Sequence, residues 1–211
     1  MVIWILWWTG RTGKTLRTHF LNTWNAVISL IRHPDKFIAE SEKDTFIIWS
    51  ATNSSDITAL ITQVDILIDA TSVWFFHKKP TSLYSSVAQA IVKARSAWKA
   101  SHCIVMSSAW THHWRTLPRP ANRGYELFLW DVANDKEKAE AILEFSSVPR
   151  TIIKSPLLTQ WPEKTYSIQD FETYRPSLFD TISRRTLGDV VSEIATHQKK
   201  YLNQKIVACE Q

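Results

Sequence analysis

Short runs of consecutive apolar residues alternate along this chain with stretches in which apolar residues recur every three or four positions. The runs are Val2 to Leu6, Ala26 to Ile31, Thr45 to Ile48, Val64 to Asp69, Cys103 to Met106, Thr151 to Ile153 and Lys205 to Ala208. Continuous runs of this length predict strands buried on both faces. Between them, Thr12 to Asn22 places Leu16, Phe20 and Leu21 on one side of a helix. A second helix starts at Ser54-Ser55-Asp56 and buries Ile57, Leu60 and Ile61. Pro80 to Trp98 spaces Val87, Ile91 and Ala94 for one face, Asn134 to Phe145 is rich in Ala, Glu and Lys, and Thr181 to His197 carries a last helix. The pattern predicts an α/β fold, a doubly wound parallel sheet with helices on both faces, in a single domain over residues 1–211. Ala109 to Asn122 and Leu157 to Pro176 follow strands without periodicity. Both overhang the carboxyl edge, where such sheets bind ligands, and residues 157–180 read as a loop-rich insertion on the substrate side.

Composition narrows the partners. The chain is 45% hydrophobic over 211 residues, enough for one sizeable core. Its net charge is +5, but the basic residues are scattered, and the doublets Lys78-Lys79, Arg184-Arg185 and Lys199-Lys200 are short. They read as a solvated face, so no nucleic acid is expected as a partner, while a small anionic ligand fits. Cys103 and Cys209 make no disulfide framework, which points to a reducing, cytoplasmic setting. No run approaches the roughly 18 apolar residues of a membrane span, and no basic segment precedes Val2 to Trp8 as a secretory signal requires. The expected assembly is a monomer or homodimer without a membrane partner.

One feature of the composition departs from the ordinary. The chain has 4 glycines and 11 tryptophans. Together they make about 7% of the residues, an ordinary content for glycine alone. Trp24 and Trp98 stand between a helix end and a strand, where a left-handed glycine commonly closes the helix. Trp74 and Trp110 lie just beyond strand ends, Trp161 in a turn before Pro162, and Trp7 at the first turn of a loop. These contexts predict that many tryptophans occupy glycine positions.

That loop carries the main motif. In the sequence ILWWTGRTGKT, Trp7, Gly10 and Gly13 hold the three positions of the dinucleotide-binding fingerprint G-x-x-G-x-x-G, with a glycine at the second and third. The second lets backbone approach a pyrophosphate, and the third lets helix pack on strand. The helix start behind them offers N–H groups and a positive dipole end. Gly13-Lys14-Thr15 also ends a phosphate loop of the G-x-x-x-x-G-K-[ST] kind, with Trp8 at its first glycine and Asp69 as a metal-side aspartate, so a nucleotide triphosphatase is a rival. The second strand ends Leu30-Ile31-Arg32 without an acid. Arg32 and Arg11 suit a 2′-phosphate, which selects NADP, with NAD as the other candidate.

The segments TGRTGKT, LIRHPDKF, DILIDATS, CIVMSSAW, DKEKAEAILEFSS and TIIKSPLLT, in this order, resemble the atypical short-chain dehydrogenases of the NmrA-like group, which includes flavin and biliverdin-type reductases. The resemblance covers almost the whole chain and implies a Rossmann fold with NADP or NAD over the strand ends. It implies that Thr9, Gly10, Arg11 and Thr12, with Gly13 of the fingerprint, line the pyrophosphate. It places Arg32 at the adenosine end, Ala70, Thr71 and Ser72 at the cofactor ribose, and Ser107 and Ser108 toward the nicotinamide. The chain departs from the group at Trp7-Trp8, where the group reads Gly-Ala or Gly-Gly, and at Lys154, where it often has Arg.

The chemistry is less explicit. Classical short-chain dehydrogenases use Tyr-x-x-x-Lys, in which tyrosine gives a proton. Tyr125 is followed four residues later by Leu129, and Tyr84, Tyr166 and Tyr174 also lack the lysine. Ser107, Ser108 and His112 are the catalytic candidates, the histidine lying with His113 in the loop after the fifth strand. Adjacent histidines point apart and no third ligand is evident, so no metal is expected. Lys136 and Glu140, four apart on a helix, read as a surface ion pair. The expected activity is NAD(P)H-dependent reduction of a small conjugated acceptor such as a flavin or quinone. The alternative is a non-catalytic NADP(H)-sensing regulator, and the third reading is the triphosphatase.

Overall fold

A computed structural model describes residues 1–6, 9–23, 25–31, 37–48, 50–73, 80–97, 100–113, 119–177 and 179–210. Trp7, Trp8, Trp24, Trp49, Trp74, Trp98, Trp114, Arg32 and the Lys78-Lys79 doublet lie outside the described residues. The elements in chain order are β1 (Val2–Leu6), α1 (Arg11–Asn22), β2 (Ala26–Ile31), β3 (Asp44–Ile48), α2 (Ser54–Ile61), β4 (Ile66–Asp69) and α3 (Leu83–Lys93) with a 3-10 turn at Ala94–Ala97. They continue with β5 (His102–Ser108), α4 (Ala121–Glu144), β6 (Arg150–Ser155), β7 (Leu157–Thr159), β8 (Tyr166–Asp170), β9 (Thr181–Ser183), α5 (Arg184–Thr196), α6 (Gln198–Tyr201) and β10 (Gln204–Glu210).

Eight strands form one sheet in the order β3-β2-β1-β4-β5-β6-β10-β8. All neighbours are parallel except β8, which runs antiparallel to β10. Alternation along each strand divides the core into two layers, because successive side chains point to opposite faces. Ile3 and Ile5 pack with Leu16 and Phe20 of α1 and Val190, Val191 and Ile194 of α5. Trp4 and Leu6 pack with Ile57 and Ile61 of α2, Val87 and Ile91 of α3, and Leu143 of α4. The expected doubly wound sheet with helices on both faces is therefore the observed architecture. The chain leaves β1 toward β2 on one side and returns through β4 on the other, so the carboxyl ends of β1 and β4 flank the switch point where such sheets open a crevice.

Two expected boundaries move. The helix expected from Asn134 starts at Ala121. Its first half hides the helical period because Leu127, 78% exposed, and Trp130, 39% exposed, do not share a buried stripe. The helix expected from Thr181 begins with β9, which pairs with β7 inside the stretch read as loop. Both strands are three residues long, too short for alternation to register. The glycine argument also fails at two described tryptophans. Among the described residues, the non-glycine residues with positive φ are His112 (67°) and Asn203 (59°), not Trp110 or Trp161. The turn after β5 does contain a left-handed residue, but two positions beyond the tryptophan.

Buried polar contacts fix the helices on this frame. Arg17 of α1 is 4% exposed, and its Nε donates to Asp44 Oδ1 at 2.9 Å while a second guanidinium nitrogen donates to Ile38 O at 2.6 Å. Asp135 of α4, 2% exposed, accepts the backbone N–H of Tyr84 at 2.9 Å and of Ser85 at 3.3 Å, and the Ser85 hydroxyl. It thus caps the start of α3 from a neighbouring helix, a job usually done by the residue at the helix start itself. Asp135→Ala strands these donors and is expected to lower stability by about 2 kcal/mol, read as a lower urea midpoint. An unchanged midpoint would show that the cap carries no stability.

Candidate functional site

The carboxyl edge is built by strands in register. Leu6 pairs with Asp69 across β1 and β4, Asp69 with Val105 across β4 and β5, and Ser107 with Lys154 across β5 and β6. At the β1 end, Gly10 precedes α1 in extended conformation, φ −71° and ψ 158°, and no side chain caps the helix. Glycine there leaves the positive helix end open to a phosphate. Thr9 and Arg11 are exposed, Gly10 and Thr12 half-buried and Gly13 buried. Thr15, the residue a phosphate loop would turn to a metal, gives its hydroxyl back to Arg11 O at 3.0 Å.

At the β4 end, Ala70 and Thr71 are buried and Ser72 is exposed. Thr71 N–H donates to Asp69 Oδ1 at 2.9 Å. Burial pushes the Asp69 carboxyl up, and that hydrogen bond and the Lys136 charge offset only part of the shift. The Lys136 ammonium lies 4.7 Å from the centre of the Tyr84 ring, and the Tyr84 hydroxyl accepts Val73 N–H at 3.1 Å. Burial pulls Lys136 down to about 8, against the opposing pull of Glu140. Among the described residues its ammonium has the Tyr84 ring as a partner and makes no hydrogen bond.

Beyond β5 a second cluster closes the edge. Lys154, fully buried, donates to Glu140 Oε1 at 2.7 Å and Oε2 at 2.8 Å and also to the Thr111 hydroxyl. The ammonium lies 4.5 Å from the Phe171 ring centre. Glu140, 2% exposed, also accepts the hydroxyls of Ser107 and, at 3.3 Å, Thr111. His112 Nε2 approaches Glu140 Oε2 at 3.4 Å, and His112 N–H donates to Glu137 Oε1 at 2.8 Å. Burial would raise the Glu140 carboxyl. The hydrogen bond from His112, the charge and hydrogen bond of Lys154 and the Ser107 hydroxyl outweigh it and hold the group at about 2. Burial lowers the Lys154 ammonium, and Glu140 restores part of the loss.

This geometry revises three readings. Ser107 and His112 are brought together on Glu140, but Ser108 leaves the next rung of β5 on the other face, where its hydroxyl oxygen accepts Trp110 N–H at 3.2 Å. Lys136 and Glu140 are no surface pair: Glu140 is buried against Lys154, and Lys136 reaches the β4 edge. Glu140, Lys154, Thr111 and Lys136 were missed because i,i+4 spacing alone does not say which helix face is buried. The signal available was Lys154, a lysine inside an otherwise apolar strand. Against the expectation that Tyr201, like the other tyrosines, lacks the lysine, the Tyr-x-x-x-Lys spacing does occur once, at Tyr201 and Lys205. There Tyr201 ends α6 and gives its hydroxyl to Glu193, while Lys205 on β10 pairs with Glu144. The two residues share no helix face. Arg32 lies outside the described residues. Among the described residues no group of three His, Cys, Asp or Glu side chains could hold a metal ion, and no helix is long and apolar enough to cross a membrane.

The buried pair makes two expectations. Lys154→Met leaves a buried carboxylate unpaired and is expected to cost about 3–5 kcal/mol, most of it recovered in Lys154→Met/Glu140→Leu. A double variant as weak as the single one would refute the pairing. Because the folded Glu140 group titrates at about 2 against its usual 4.5, its stabilisation is present above 4.5 and is lost as pH falls toward 2. Acid unfolding of Glu140→Gln is expected to be shallower across that window, and a parallel curve would count against it.

No curated protein matches the chain in sequence. Among solved structures, the oxidoreductase ylbE from Lactococcus lactis superposes with a TM-score of 0.80 at 16% identity, over 100% of this chain and 91% of that one. A short-chain dehydrogenase/reductase from Veillonella parvula in complex with NADP gives 0.77 at 18% identity, over 99% and 94%. ChuY, an anaerobillin reductase from Escherichia coli O157:H7, gives 0.79 at 14% identity, over 100% and 97%. At these identities the likeness is one of fold. The family model described as NAD(P)H-binding matches residues 9–198, from the loop at the β1 end to the last helix, and the chain belongs to that family.

Proposed function

We propose that this chain is an NAD(P)H-dependent oxidoreductase that reduces a small conjugated acceptor such as a flavin or quinone, with NADP as the preferred dinucleotide. The observation that carries the reading is the uncapped start of α1 at the β1 end, two glycines of the fingerprint in place, with the Lys136 ammonium at the β4 end. The first suits a pyrophosphate. The second suits the hydroxyls of a ribose, since Lys136 can donate and the Asp69 edge can accept. Thr9, Gly10, Arg11, Thr12 and Gly13 hold the phosphates in this reading. Ala70, Thr71 and Ser72 border the ribose, and Arg11 with Arg32 selects the 2′-phosphate. Ser107 and His112 face the acceptor from the β5 end, with Ser108 on the neighbouring rung.

When bound, the dinucleotide supplies a hydride. The chain's own part is to hold both partners over the strand ends and to exclude water with the segments after β5 and β6. The reductases among the structural neighbours support this reading, and the missing helical Tyr-x-x-x-Lys assigns proton chemistry to other groups. A sensor that binds without turnover is the alternative, favoured by the indoles of Trp7 and Trp8, which bring bulk to the turn where backbone should meet pyrophosphate.

NADPH titration followed by cofactor fluorescence tests the reading. Trp7→Gly/Trp8→Gly is expected to bind at least about 10-fold more tightly than the parent chain, a difference of about 1.4 kcal/mol. Equal binding by both would show that the loop accommodates the rings, and binding by neither would remove the reading. Lys136→Gln in the same background is expected to raise the KM for NADPH by about 10-fold, the worth of one charged hydrogen bond. An unchanged KM would take Lys136 out of the cofactor site. Steady NADPH oxidation with a flavin or quinone separates enzyme from sensor.

A further inference from the structure

We propose that His112 is the proton donor of the reduction, and that Glu140 is its positioning residue, a carboxylate that fixes which ring nitrogen gives the proton. The inference rests on the oxidoreductase reading and deepens it. Two-electron reduction of a conjugated acceptor needs a hydride and a proton. The helix after β5 lacks the tyrosine-lysine pair that would give the proton. His112 stands in the turn that follows β5, in the left-handed conformation at φ 67°. That conformation is costly for a residue with a side chain. It is held by two carboxylates of α4: Glu137 accepts the His112 backbone N–H at 2.8 Å, and Glu140 meets its ring at Nε2, 3.4 Å away.

The two ring nitrogens are not equivalent. Nε2 faces the buried Glu140, itself neutralised by Lys154 and by the Ser107 and Thr111 hydroxyls. Nδ1 is 3.7 Å from Glu137 Oε1, too far for a hydrogen bond, and the side chain is 42% exposed. The proton at Nε2 is therefore retained on the ring, facing Glu140, and the one at Nδ1 is the one to leave. The dinucleotide is the reductant and loses a hydride, and the acceptor gains it. Nδ1–H breaks, the proton joins the acceptor heteroatom that carries the new charge, and neutral imidazole remains with its hydrogen on Nε2. Solvent reaches the exposed ring and restores the Nδ1 proton.

The titratable groups around the ring are Glu137 and Glu140 of α4, Lys154 of β6, Lys205 of β10, and His113 of the same turn. Arg175 and Glu172, beyond β8, act on His113. Of these, Glu137 and Glu140 are the groups in contact with the ring.

Two measurements test the proposal, one without substrate. In the free protein, 15N spectra assigned by the signal lost in His112→Gln are expected to show neutral His112 with its hydrogen on Nε2, and Glu140→Gln is expected to shift that tautomer balance. A dominant Nδ1–H form in the parent would overturn the assignment. In turnover with a quinone, using whichever of the parent and Trp7→Gly/Trp8→Gly chains binds NADPH, His112→Gln is expected to lower kcat by about 100-fold. The NADPH dissociation constant is expected to stay the same. Turnover that survives His112→Gln overturns the proton-donor role alone. Absence of turnover in both parent chains overturns the oxidoreductase reading, and this role with it.

Discussion

An ammonium taken wholly out of water sets the terms for the carboxyl edge of this sheet. Lys154 stands next to the end of β6, beside the apolar Ile152 and Ile153, and a lone buried cation is too costly to persist. Glu140 neutralises it with both carboxylate oxygens. That single requirement places α4 over β5 and β6. It also consumes the Ser107 and Thr111 hydroxyls, and it leaves one side of Glu140 for the His112 ring. The pair gains specificity of arrangement more than raw stability, since an apolar pair of similar volume would serve the fold as well.

The same helix organises the other half of the edge. Lys136, Glu140 and Glu144 recur at i, i+4 and i+8, so one face of α4 runs from the β4 end, past Lys154, to Lys205 on β10. Asp135, one position round, caps α3. A helix that satisfies so many fixed polar partners has little freedom to slide, and the Lys136 ammonium is held at the β4 end over the Tyr84 ring. Preorganisation of this kind lets a binding group meet its ligand without losing freedom at that moment.

Much of this was legible in the sequence, and the divide follows physical scale. Strands buried on both faces announce themselves as unbroken apolar runs, so β1 and β2 match to the residue. Helices with one buried stripe, such as α1 and α5, announce their period. The first half of α4 does neither, because Leu127 and Trp130 are exposed there. At the site, the fingerprint loop was readable because its contacts are local in sequence. The Glu140–Lys154–Ser107 cluster joins residues from three elements, and nothing in linear spacing says that a glutamate of a charged helix turns inward. Only the lysine among the apolar residues of β6 marked that something acidic must meet it.

In the reaction proposed above, hydride and proton come from opposite sides of this edge. The parallel order places the uncapped helix start and Lys136 at the ends of β1 and β4, on the dinucleotide side of the crevice. The β5–β6 pair and the turn after it stand on the far side, where an acceptor enters. A cation on the dinucleotide side and an ionisable ring on the acceptor side need opposite surroundings. The first needs a site from which water is partly removed, so that its donors act on the ligand. The second needs solvent contact, to be recharged after each proton is spent. Half-buried Lys136 on α4 and exposed His112 in the turn after β5 meet those requirements on either side of Glu140, which raises the Lys136 ammonium and touches the His112 ring. A tyrosine-lysine pair on one helix would combine the two tasks. In this chain the fold divides them, and the buried carboxylate keeps the two halves in register.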